Sequence, residues 1–540
     1  MTADGPSHAA APEPRDRGVG GGQGVRAILE RQAARLGPRP LLVLPETTLT
    51  YADTDEVANR AAEALRQLGV DSGSTVMAFC GNGLPMAATW FACMKLGAVF
   101  MPVNSLLEGD PLRNVMAHAG ARVLVCDAAL YPEVAAIRRH LPHLRHVLVA
   151  GAPLPGTMSL ETCLERASSA PPPPLADDPG APAKLVYTSG TTGTSKGVIW
   201  SRACELTWAH CYTEELLHLT EDDATYCCLP LCHVTCQGTT LATLVAGGTI
   251  TIDDRFRPFG FWDRVRRAEA QVFTFVGTIL STLVRLPAQA DDADNPVRLI
   301  LGSATPADRW REIEDRFDLS VMDVWGQTET ASCWTRPEQL PQRPGTVGRP
   351  SPRFEAKIVD ETGNEMPPDA VGEMWIRPLR SHVMFEGYRR PDGSVAAQRE
   401  ADGWYRTGDL MVRRGDGDFS FIGRLRDAIR RRGEMISAAD VETAALAHPA
   451  VLEVAAVGVP AEEDVEEEIK LSVVLRRGAA LEPEALHGFL VDRLPLFMVP
   501  RYVDVRAGLP KTATTRVQRF RLKEEGTAGT WDARHPRSTN

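Results

Sequence analysis

Apolar residues recur along the first half of the chain in two alternating rhythms. Residues 51–68 place Val57, Ala61, Ala62 and Leu65 on one side at helical spacing. Residues 75–79 form a short apolar run that predicts a buried strand. A helix of small residues follows at 85–96, then a strand at 98–103, with further strand candidates at 122–127 and 146–150. Strands alternating with helices predict a mostly parallel sheet covered by helices. No short internal repeat is visible.

The punctuation of the chain divides the remainder. A proline-rich stretch at 170–182 predicts a loop leading into a strand at 184–188 and then a Gly/Thr/Ser loop. After about residue 345 short strands between Gly, Pro and Asp turns dominate, as at 354–359 and 372–376, and predict a β-rich subdomain. From about residue 426 a smaller α+β unit begins, with a helix at 438–447 and strands at 454–459 and 469–475. A chain of 540 residues exceeds one compact core. The expected fold class is therefore α/β: a large N-terminal domain of α/β subdomains plus a β-rich subdomain, and a small mobile α+β C-terminal domain. The boundaries drawn are a disordered leader at 1–25, the N-terminal domain at 26–425, the C-terminal domain at 426–525 and a disordered tail at 526–540.

Composition narrows the function classes. The net charge of −11 argues against a nucleic-acid binder, which needs a basic footprint. The acidic run at 462–468 predicts a solvated face. No apolar run reaches the roughly 18 residues that cross a bilayer, so no membrane association is expected. The N-terminal stretch lacks the apolar core of a signal peptide, and eleven cysteines, an odd number, suit reduced thiols; both point to the cytoplasm. Cys227, Cys228, Cys232 and Cys236 cluster around His233, but without paired C-x-x-C spacing, and their neighbours are apolar. They are expected to be buried thiols and not zinc ligands. Arginine outnumbers lysine 52 to 7, a coding bias that makes each remaining lysine informative.

One of those lysines closes the segment Thr188-Ser-Gly-Thr-Thr-Gly-Thr-Ser-Lys196-Gly197, directly after the apolar Leu185-Val186-Tyr187. Glycines let backbone fold around phosphate, hydroxyls and N–H groups donate to it, and Lys196 adds charge. Thr188, Ser189, Gly190, Thr191, Thr192 and Gly193 are the candidate phosphate donors. A flexible surface loop is the bland alternative, and it would not need a lysine in so lysine-poor a chain.

With this loop the chain resembles the adenylate-forming superfamily of acyl-CoA synthetases, peptide-synthetase adenylation domains and luciferases. Four further motifs follow in that family's order: Trp325-Gly-Gln-Thr-Glu329, Tyr405-Arg-Thr-Gly-Asp409, Gly423-Arg424-Leu-Arg-Asp-Ala-Ile429 running to Gly433-Glu434, and Leu509-Pro-Lys-Thr512. The resemblance spans about residues 25–525, and it is strongest to stand-alone bacterial AMP-forming acyl-CoA ligases, including the carnitine/crotonobetaine-type group. It implies the following roles. Glu329 holds magnesium, and Thr328 contacts phosphate oxygens. Trp325 offers a flat face to adenine, flanked by Gly326 and Gln327, with Gly302, Ser303 and Ala304 against the same ring. Asp409 accepts from the ribose hydroxyls and Arg424 helps hold the ribose. His233, in an L-P-L-x-H pattern, borders the acid pocket with Val276, Gly277 and Gly326; a hydrogen-bonded core histidine is the alternative. Arg426 stands at the hinge between two domain orientations, and Gly433 and Glu434 lie on the face presented to the acceptor.

The chain departs from the family at the C-terminal motif, where Arg516 stands for the family's catalytic lysine. Guanidinium keeps the charge and can grip two oxygens, so Lys196, Glu329 and Arg516 are the expected catalytic set. The implied reaction uses ATP, Mg2+ and coenzyme A: a small-molecule carboxylic acid becomes acyl-AMP with release of pyrophosphate, and a thiol then displaces AMP. An enzyme of the same fold activating another acid, such as an ATP-dependent diazotase using nitrite and an arylamine, is the runner-up. A non-catalytic adenylate-binding homologue is the third. The sequence leaves open the acid and whether the chain is a monomer or homodimer.

Overall fold

The computed structural model describes residues 24–188, 196–331, 335–336, 340–431, 434–460, 467–511 and 517–534, with backbone alone at 335–336, 426, 430 and 434–435. Within these residues the chain forms four main sheets. Two large α/β sheets carry the first 330 residues. One orders its strands Ser320–Asp323, Leu299–Gly302, Val272–Thr274, Ala224–Cys227, Thr249–Ile252, Pro40–Val43 and Thr48–Thr50, parallel except for the last pair. The other has nine strands, with Pro182–Thr188 beside Val99–Pro102 on one side and antiparallel to Lys196–Ser201 on the other.

Local chemistry explains the elements between them. The helix Tyr51–Gln67 starts at a reciprocal capping box: Asp53 N–H donates to Thr50 Oγ1 and Thr50 N–H donates to Asp53 Oδ2, each at 3.0 Å. The helix Leu84–Leu96 carries apolar residues on every side, with Lys95 its one charge, and such a helix must be enclosed. It lies against Tyr51–Gln67 and the strands Thr75–Phe79 and Val99–Pro102, with Trp90 and Phe91 fully buried.

A third, antiparallel sheet joins Phe354–Val359, Val371–Pro378, Tyr405–Arg413 and Phe419–Arg424, where the turn pattern predicts β structure. Past it, the strands Val451–Pro460, Glu467–Leu475, Tyr502–Val505 and Trp531–Asp532 form a fourth sheet, with the helix Ala438–Leu446 packed on it. Ser437 caps that helix and also donates to the carbonyl of Ile422, next to the expected hinge. Among the described residues no helix is long and apolar enough to cross a membrane.

Three expectations need correction. The leader does not reach residue 25: the helix Gly24–Leu36 begins there, and buried Arg26 donates to the carbonyls of Lys95, Pro172 and Pro173. That contact also pins the proline-rich loop. The tail is ordered through residue 534, because Trp531–Asp532 pairs with Tyr502–Val503 and Asp532 takes a two-pronged grip from buried Arg501 at 2.9 and 3.0 Å. The acidic run does not end on a solvated face, since Glu468 is buried between Arg431 at 2.7 Å and Arg534 at 3.0 Å.

Deleting residues 526–540 should therefore destabilise the fourth sheet by about 3–5 kcal/mol, the usual cost of leaving one member of a buried ion pair alone. Thermal unfolding of the truncated chain checks this; an unchanged transition would mean that the tail is an ornament.

Candidate active site

The parallel sheet creates the site at the carboxyl ends of its strands. The chain leaves Ala224–Cys227 toward Thr249–Ile252 on one side, whereas the strands after Val272–Thr274 are added on the other. Connections diverge at such a switch point and leave a crevice between them. His233 lies on one bank, exposed at the N-terminus of the helix Val234–Ala246. Exposure removes the core-histidine alternative. Val276 and Gly277 lie on the other bank, and Val276 is also exposed. The glycine is obligatory: a Cβ on Gly277 would come within 2.0 Å of the Ala304 carbonyl. Gly302 faces the Phe275 carbonyl in the same way, so these two strand-end turns touch backbone to backbone. Ser303 and Ala304 are left exposed, with Ala304 at φ 63°.

Asp323, which the sequence did not single out, organises this edge. Its Oδ2 accepts from Thr305 N–H, while Gln342 bridges its backbone N–H and carbonyl. Burial pushes the Asp323 carboxyl up to about 6, opposed by hydrogen bonds from Thr305 and Ala304.

The segment after the last strand carries Trp325, Gly326, Gln327 and Thr328, and it is bolted to the β-rich sheet through Asp409. That carboxylate is fully buried. Its Oδ2 accepts from Trp325 Nε1 and from Gln327 Nε2, each at 2.7 Å. Its Oδ1 pairs with Arg424 Nε at 2.9 Å, across the antiparallel register that sets Asp409 opposite Arg424. Trp325 is itself buried, and it meets Asp409 with its N–H edge. Arg424, 40% exposed, marks the side of this network that solvent reaches.

Lys196 and Glu329 come together on one tyrosine. Tyr388 donates to Glu329 Oε1 at 2.8 Å, and Lys196 Nζ stands 4.9 Å from the centre of its ring. The register is the cause: Gly387–Arg389 pairs antiparallel with Lys196–Ser201, placing Tyr388 opposite Val198. Among the described residues no arginine or lysine forms an ion pair with Glu329. A partly exposed carboxylate without a cationic partner is a hard oxygen donor that fits a magnesium ion. Of the other expected site residues, Thr188 ends its strand at the loop. Ser189, Gly190, Thr191, Thr192, Gly193, Gly433 and Arg516 lie outside the described residues, and Arg426 and Glu434 are placed by backbone only.

Residues 29–389 match the AMP-binding enzyme family, and residues 440–516 match the AMP-binding enzyme C-terminal domain. The chain belongs to the AMP-binding enzymes. The crotonobetaine/carnitine–CoA ligase of Salmonella heidelberg (strain SL476) is 28% identical over 518 residues, covering 93% of this chain and 99% of that protein. Among solved structures, ATP-bound MatB from Rhodopseudomonas palustris superposes with a TM-score of 0.80 at 26% identity, over 93% of this chain and 99% of that one. A benzoate CoA ligase from Burkholderia xenovorans LB400 does so with a TM-score of 0.79 at 25% identity and the same coverage.

In this AMP-binding enzyme the two lysines nearest Arg516 in sequence are occupied elsewhere. Lys511 pairs with Glu453 at 2.7 Å and Lys523 with Glu467 at 3.2 Å. The four clustered cysteines are buried, and burial raises the thiols of Cys228, Cys232 and Cys236. Tyr388 is the principal residue that sequence reasoning missed. It sits in a stretch with no motif of its own, and only the strand pairing brings it to Glu329.

Tyr388→Phe should raise the magnesium concentration needed for half-maximal turnover and lower turnover by roughly tenfold or more, as expected for a lost hydrogen bond to a charged group. The melting temperature should hardly move. A magnesium titration checks this; normal dependence would show that Glu329 needs no help from Tyr388.

Proposed function

We propose that the crevice activates a small-molecule carboxylic acid as its acyl-AMP and then passes the acyl group to coenzyme A. In the first step a carboxylate oxygen attacks the α-phosphorus of ATP, and the bond to pyrophosphate breaks. In the second the thiol sulfur attacks the acyl carbon, the C–O bond breaks, and AMP leaves. The logic is that a carboxylate is a poor electrophile and an acyl phosphate anhydride a good one.

The observation that carries this reading is the convergence of Lys196 and Glu329 on Tyr388, beside the Asp409 network, at the carboxyl edge of a parallel sheet. Lys196 would meet phosphate oxygens, and Glu329 would hold the magnesium ion. That ion, when bound, supplies positive charge to the phosphates as pyrophosphate departs. Asp409 and Arg424 would take the ribose from the open side of their pair. Ser303, Ala304 and Trp325 would border the adenine, and His233, Val276 and Gly277 the acid. Arg516 would reach the carboxylate and the α-phosphate when residues 426–525 swing over residues 26–425 as a separate domain. Ten described cysteines are all unbridged, which supports a cytoplasmic setting.

Acid-dependent pyrophosphate release tests the reading, across a panel of carboxylic acids and nitrite, with coenzyme A or arylamines as acceptor. A carboxylic acid with coenzyme A should give AMP and a thioester; release only with nitrite and an arylamine would transfer the chain to the other chemistry. Arg516→Ala should lose pyrophosphate release from ATP and acid, yet still convert supplied acyl-adenylate to product. A variant that adenylates at the wild-type rate would show that Arg516 does not act in the first step.

A further inference from the structure

Behind the site lies a charge that the reaction does not use. Lys184 is completely buried on the strand Pro182–Thr188, and its Nζ lies 5.2, 5.0 and 5.0 Å from the ring centres of Trp90, Trp200 and Trp208. Among the described residues its one ion-pair partner is Glu205, at 2.8 Å, with the Glu205 side chain 4% exposed. Trp90 Nε1 also points to the same carboxylate oxygen, at 3.4 Å. Burial pulls the Lys184 ammonium below its ordinary range, and the Glu205 carboxylate opposes that shift.

Such a pair adds little to stability, because desolvating two charges consumes most of their attraction, and apolar residues of the same volume often do as well. It does fix geometry. An ammonium among three indole faces attracts each of them, so none can turn away without exposing the charge to a worse environment. Lys184 stands directly opposite Trp200 in the antiparallel register, and Trp200 packs edge-on against Trp208 with centres 4.9 Å apart.

Trp200 carries the constraint into the site. Its Nε1–H donates at 2.8 Å to the carbonyl of Thr328, the peptide that leads into Glu329. The strand holding Trp200 begins at Lys196. One strand therefore presents Lys196 at its start and grips the Glu329 segment four residues later.

We propose that the Lys184–Glu205 pair is a positioning device for MgATP: by locking Trp200 among the tryptophans it sets where Lys196 stands relative to Glu329. The inference rests on Lys196 and Glu329 being the phosphate and magnesium contacts. Neither Lys184 nor Glu205 touches a reacting atom; both act through Trp200.

Two variants test this by calorimetric titration with MgATP, which needs no knowledge of the acid. The first, Lys184→Met with Glu205→Met, removes both charges and keeps the volume. The second, Trp200→Phe, keeps a ring and removes the donor to Thr328. The double variant should bind MgATP roughly tenfold or more weakly, and Trp200→Phe several-fold more weakly. Both should convert supplied acyl-adenylate with coenzyme A at the wild-type rate. Wild-type MgATP affinity in the double variant overturns the proposal, and so does wild-type affinity in Trp200→Phe if the double variant does not fold. Equal losses in both half-reactions at unchanged affinity also overturn it, because they describe a core residue and not a positioning one. If the unaltered chain binds no MgATP, the functional reading itself fails, which is a different result from variants that match a binding wild type.

Discussion

A single buried carboxylate holds the site in register. Asp409 belongs to the antiparallel sheet, yet its oxygens are met by Trp325 and Gln327 from the end of the parallel sheet and by Arg424 from the neighbouring strand. Two sheets with separate topologies are thereby joined at the point where adenine, ribose and phosphate would meet. A fully buried carboxylate is costly unless its partners are in place, so the same interaction that needs this arrangement also enforces it. The polypeptide continues from Arg424 toward the C-terminal part, so the joint also fixes where that part leaves the sheet.

The lysines tell a related story. In a chain that otherwise uses arginine, Lys95 is buried between Glu30 and Asp55, Lys184 lies among three tryptophans, and Lys470 reaches the carbonyls of Leu522 and Gly526. Lys357 lies over Trp375 and Trp404, and Lys196 over Tyr388. A compact ammonium on a narrow stem suits the enclosed sites of Lys95 and Lys184, whereas Trp375 and Trp404 also take the guanidiniums of Arg406 and Arg377. Lys196 differs from the buried lysines in being exposed, and Lys184 stands on the strand directly before its loop.

What was legible in the sequence was contiguous: the alternating helix and strand periodicity, and short motifs that carry the family resemblance. Gly277 and Gly302, which the resemblance implied, permit a close backbone approach between two strand ends, and the motif residues Glu329 and Asp409 meet Tyr388 and Trp325. What escaped was everything fixed by pairing between distant segments. Tyr388 reaches Glu329 only because residues 387–389 pair with residues 196–201. Asp323 matters because a loop from residue 342 closes over it. The tail expected to be disordered is held because Asp532 and Arg534 answer buried charges on distant segments. Trp325 read as a flat face, while its N–H edge proved to be the part engaged with Asp409.

In the proposed reaction the acid oxygen is the nucleophile toward the α-phosphorus of ATP. Isotope labelling follows that oxygen. With an accepted acid labelled with 18O in its carboxylate, complete turnover to the thioester should leave one labelled oxygen in AMP, since the C–O bond breaks when sulfur attacks. Unlabelled AMP, or formation of ADP and phosphate in its place, would rule out attack by the acid oxygen on the α-phosphorus.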